Sequence, residues 1–105
     1  MTLDPEDSKI ITLARAARAR NEASEGAAVR DETGRTYSAT NVALDALTLS
    51  AVQVAVAMAV SSGARSLEAV ALVSAGDPSA ADEAVAAELG VKSLLVAGPD
   101  GTLRG

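Results

Sequence analysis

Ser50, Ser79 and Asp82 come nearest to a chemical site in this sequence. Each stands near a predicted helix start, where free backbone amides attract anions; the same groups serve equally well as ordinary helix caps. Asn41, at the end of a predicted strand, is either a ligand-contacting amide or a turn residue. Asp31 with Glu32, and Glu83 with Glu88, are carboxylate pairs of the type that does acid–base work. They fall in a turn and on a helix face with no aromatic neighbour to form a pocket, so solvated surface is expected. The basic run from Arg15 to Arg20 reads as the solvated face of a helix, with an anion or RNA contact as its rival.

The residue types that are missing narrow the chemistry further. Cysteine and histidine are absent, which excludes disulfides and thiolate metal sites and removes imidazole from any mechanism. The net charge of -5 argues against a nucleic-acid backbone as partner. A single tyrosine, with no phenylalanine or tryptophan, provides no platform on which bases could stack. The segment Met1 to Glu6 carries acids and no apolar core, so no secretory signal is expected there. The longest apolar stretch, Val54 to Val60, is far short of the ~20 residues of a membrane span. A soluble cytoplasmic protein without cofactor is the expectation.

Positioning these residues falls to a chain of 105 residues, 49% hydrophobic and 22% charged, a globular composition that fits one domain over residues 1–105. At this size only about two thirds of the unfolded surface is buried, so subunits or partners would add needed stability. Asp4-Pro5 is a helix-start signal, and Ile10, Leu13, Ala14 and Ala17 give the helix to about Asn21 one apolar stripe. Ala27–Arg30 and Arg35–Thr40 form a hairpin across Asp31-Glu32-Thr33-Gly34. A second helix is predicted over Thr48–Ser62, stopped at Gly63, followed by a buried strand over Leu67–Ser74. Asp77-Pro78 repeats the start signal for a helix to about Leu89, and Ser93–Ala97 is a further strand. After the Gly98–Gly101 turn, Thr102-Leu103 is barely long enough to begin another. The fold class is α/β: a three-layer α/β/α sandwich with a mixed sheet, antiparallel in the N-terminal hairpin and parallel between the last two strands.

The stretch Glu25-Gly26-Ala27-Ala28-Val29, the turn before Gly34-Arg35-Thr36-Tyr37 and the close at Asn41 resemble the opening hairpin of the small cytidine deaminases, a family that includes blasticidin deaminase. Leu47-Thr48-Leu49-Ser50-Ala51-Val52 stands where that family has Leu-Thr-Ile-Cys-Ala-Glu, and Pro78 to Gly90 stands where it has its Pro-Cys-Gly-Ala-Cys helix. The resemblance implies a zinc site whose three cysteine positions are here Ser50, Ser79 and Asp82, with the catalytic glutamate position at Val52. Zinc prefers thiolate and imidazole, and valine moves no proton, so neither metal nor catalysis is expected. Asn41 matches the ribose-contacting asparagine, while the ribose-binding glutamate falls on Ala43 and a pocket phenylalanine on Ala23.

Two readings follow. One is a pseudoenzyme, an oligomeric binding or scaffold module with a protein partner that the sequence does not name. The other is a nucleoside- or anion-binding protein, or a non-zinc enzyme, that uses Ser50, Ser79, Asp82 and Asn41 in a remodelled pocket. Assembly as a homodimer or homotetramer is expected because the helix over Thr48–Ser62 is apolar on every face except at Gln53. The resemblance points the same way, since the small cytidine deaminases are homotetramers, and Val52, Val56 and Val60 are the expected interface residues.

Overall fold

A computed structural model describes residues 3–104; Met1, Thr2 and Gly105, which the sequence reading includes in the domain, lie outside the described residues. The alternation of side chains along β1 (Glu25–Asp31) decides the architecture. Ala27 and Val29 face one side of the sheet and Ala28 the other, and β5 (Leu67–Ser74) divides likewise, with Val70 and Leu72 opposed to Ala69, Ala71 and Val73. Helix α1 (Pro5–Arg20) covers the face of small residues with Ile10, Ile11, Ala14 and Ala17 buried. Helices α2 (Ala51–Ser61) and α3 (Ala80–Glu88) cover the other, with Ala51, Val52, Ala55, Val56, Ala59 and Ala86 in its core. The result is the expected three-layer α/β/α arrangement.

The main sheet has the order β2-β1-β5-β6, where β2 is Thr36–Thr40 and β6 is Leu95–Ala97. β1 runs antiparallel to both of its neighbours, and β5 and β6 are parallel, as the intervening helix requires. A short ribbon pairs β3 (Val42–Ala43) with β4 (Thr48–Leu49). This ribbon explains the first departure from expectation. Thr48 and Leu49 are held in strand pairing, so the second helix begins at Ala51 and Ser50 becomes its cap. The third helix starts after Ser79, because the Ser79–Asp82 capping box displaces Asp77-Pro78 as the start signal. At the C-terminal end, Thr102-Leu103 supplies one bridge, Ala97 to Leu103, and no strand.

Asp31 also departs from expectation: it is buried, at 2% exposure. Its carboxylate accepts from the Thr33 hydroxyl at 2.7 Å and from the Thr33 and Arg35 amides at 2.9 and 3.0 Å, with the Tyr37 hydroxyl at 3.4 Å. The Thr33 hydroxyl above all, then these amides, holds the carboxyl below the usual carboxylate range. A depressed value means that Asp31 contributes stability above its unfolded pKa of about 3.9, and that this is lost as pH falls through the folded value. Asp31→Asn should therefore lower Tm at neutral pH, and the gap from the parent protein should narrow progressively as melts are taken to pH below the ordinary carboxylate range. A gap that is independent of pH would remove the charge from this account.

Candidate functional site

The N-termini of α2 and α3 bring together three of the residues singled out from the sequence. Ser50 caps α2: its Oγ accepts from the Gln53 amide at 3.1 Å, and Gln53 Oε1 accepts from the Ser50 amide at 2.9 Å. Ser79 caps α3 in the same way, accepting from the Asp82 amide at 3.1 Å while Asp82 Oδ2 accepts from the Ser79 amide at 3.3 Å. The Ser50 hydroxyl then donates to Asp82 Oδ1 at 2.5 Å, so one carboxylate joins two capping boxes. Asp82 is buried, at 1% exposure. Val52 points away from this cluster into the chain's own core and is fully buried.

A fourth member, Glu25, is not visible from sequence alone. Its Oε1 accepts from the Ala51 amide at 3.2 Å, and its own amide donates to Asn41 Oδ1 at 3.1 Å. Helix α2 has no acidic residue in its first turn, so Glu25 and Asp82, carried by other elements, face its positive end. The missing first-turn acid was the available signal. Finding its replacement needed the placement of β1 against α2. Asn41 is thereby engaged as a support of the β1 backbone, and the structure does not bring it into hydrogen bonding with Ser50 or Asp82.

Elsewhere the candidates scatter. Glu83 and Glu88 are exposed on α3, and Glu32 accepts from the Arg65 amide at 3.1 Å. Arg15 and Arg20 are exposed, and Arg18 donates to the Ser24 carbonyl at 3.1 Å. Of the three valines expected at an interface, Val52 and Val56 lie on the stripe of α2 that faces β1, at 0% and 3% exposure. Val60, at 47%, shares the outer face with Met58 at 41%. A groove of about 460 Å³ lies beside the edge strand, lined by Asp77, Pro78, Ser93, Leu94, Val96 and Arg104, apart from the serine–aspartate cluster. No helix among the described residues is long and apolar enough to cross a membrane.

The fold recurs in known proteins. A family model described as cytidine deaminase-like matches residues 3–101, and the chain belongs to that family. Among solved structures, it is similar to the cytidine deaminase from Burkholderia pseudomallei, at 27% identity and a TM-score of 0.77, over 91% of this chain and 87% of that one. It is also similar to a mutant cytidine deaminase from Mycobacterium tuberculosis, at 28% identity and a TM-score of 0.73, over 98% and 91%. The enzyme from Mycobacterium leprae, at 22% identity and a TM-score of 0.72, shares the fold over 96% and 93%. No curated protein matches the chain.

The resemblance implies zinc at positions 50, 79 and 82, and the residues present do not fit it. Two neutral hydroxyls and a carboxylate are a poor donor set for zinc. Their oxygens are already spent on one another and on helix amides. Among the described residues, no group of three or more acidic, histidine or cysteine side chains is placed to hold a metal ion.

Proposed function

We propose that this chain is a catalytically inactive member of the cytidine deaminase-like family, acting as a self-assembling binding or scaffold module. The observation that carries the reading is the Ser50–Asp82 hydrogen bond, which closes the position where the family's chemistry would take place. A zinc deaminase needs a metal-bound hydroxide and a separate proton-carrying glutamate. Val52 supplies no proton, and every polar group of the cluster has a partner within the chain. For the rival reading, a remodelled ligand pocket, Asn41 offers only its Nδ2, because its Oδ1 accepts from the Glu25 amide.

Assembly through the outer side of α2 is supported by the exposure of the large apolar side chains Met58 and Val60. The test combines two measurements on the purified protein. Incubated with zinc and cytidine, it is expected to form no uridine and to retain no stoichiometric metal, and light scattering is expected to give a mass above the 10.5 kDa of one chain. Uridine formation or bound zinc would overturn the inactive reading, and a monomer at micromolar concentration would overturn assembly. Val60→Glu tests the face directly, because its exposed side chain can carry charge without disturbing the core; an oligomer that survives this change joins elsewhere.

A further inference from the structure

Asp82 is a carboxylate buried at 1% exposure and shared by two helices. Burying a carboxylate is costly unless its oxygens are satisfied. Here Oδ1 takes the Ser50 hydroxyl, Oδ2 takes the Ser79 amide, and two helix N-termini face it with partial positive charge. We infer that Ser50, Asp82 and Ser79 form a clasp that does the structural work of a bridging metal, so that the chain joins α2 to α3 by itself and its stability is indifferent to metal. The inference rests on the same correspondence of positions as the inactive reading, but not on the absence of turnover.

A clasp differs from two independent caps in a measurable way. If each serine merely capped its own helix, the effects of Ser50→Ala and Asp82→Ala would add, since independent sites are additive. In a clasp Ser50→Ala strands the buried Asp82 carboxylate and Asp82→Ala takes the acceptor from the half-buried Ser50 hydroxyl, so either alone breaks the same link. Thermal melts are therefore expected to show Ser50→Ala and Asp82→Ala each lowering Tm by roughly 5–10 °C, with the double variant close to the worse single one. Ser79→Ala, which removes a cap but leaves the Ser50–Asp82 link, should cost less than Asp82→Ala. The parent protein should melt at the same temperature with EDTA or with added zinc. Additive single effects, or a parent Tm that falls in EDTA, would overturn the clasp.

The position is tested by putting thiolates back. The triple variant Ser50→Cys, Ser79→Cys and Asp82→Cys is expected to gain zinc and to melt lower in EDTA than with the metal, a dependence that the parent lacks. A folded triple variant that ignores zinc would overturn the placement of the clasp at the metal position; if it does not fold, the Ser50–Asp82 cycle decides. Turnover without bound metal, together with a non-additive cycle, would sink the inactive reading and leave the clasp standing.

Discussion

Gly26→Ala is expected to be among the most damaging single substitutions in this chain. A Cβ at that position would stand 2.0 Å from the Ala14 carbonyl oxygen and 2.9 Å from Arg18 Cβ. The first is a backbone atom within α1, so no rotamer change relieves the collision and the helix must move off the sheet. That helix lies close because Ala28, Ala69 and Ala71 form much of the surface beneath it. Lifting it loosens the contacts of Ile10 and Ile11, both almost wholly buried. Overpacking against backbone costs about 3 kcal/mol or more, a large part of the ~5–15 kcal/mol total of an ordinary domain. Urea unfolding should show a midpoint lower by roughly 2 M. A midpoint within experimental error of the parent would mean that α1 can yield over Gly26 at no cost.

Val52→Glu is the second. Under the proposed correspondence it puts a glutamate where the resemblance implies the catalytic one, and it is expected to destabilise the fold by at least about 3 kcal/mol without producing activity. Val52 has no exposed surface and packs in a cluster with Ala27, Val29, Ala55 and Leu72. A carboxylate there would be buried without a partner, since the nearby polar groups are committed to one another in the clasp. The expected result is a fall in the urea midpoint comparable to that of Gly26→Ala, and no uridine from cytidine even with zinc present. A stable variant would show that the position retains access to water, and that the pocket is less closed than its hydrogen bonds imply.

How much of this could be read from the sequence depends on how far each feature reaches along the chain. The order of elements and the parallel pairing of the last strands follow from local periodicity and punctuation, and both are found. Where a distant segment intervenes, local reading fails. Thr48 and Leu49 look helical until β3 pairs with them, and Glu25 looks like a solvated acid until β1 is laid beside the start of α2. Asp31 reads as a turn residue, where polar side chains are ordinarily wet, but it ends β1 and Thr33, Arg35 and Tyr37 fold over it. On α2, valine and alanine occupy both faces, so periodicity could not say which valines face inward. Val52 and Val56 prove to be core, and Val60 is the one left outside. Ser50 and Asp82 were each legible as helix-start residues, while their bond to one another was not, being set by how α2 and α3 lie on the sheet.

Tyr37 has a further consequence, for spectroscopy. It is the only aromatic side chain in the protein, so near-ultraviolet absorption, circular dichroism in that region and intrinsic fluorescence all originate at one point. That point pairs with Val29 and lies roughly 13 Å along β1 from Glu25, at ~3.3 Å per residue. An optical signal from Tyr37 therefore reports the hairpin and the Asp31 turn, and is nearly blind to local fraying where α2 and α3 begin. Comparing its transition with the far-ultraviolet signal of the helices separates the two ends of the sheet without any label.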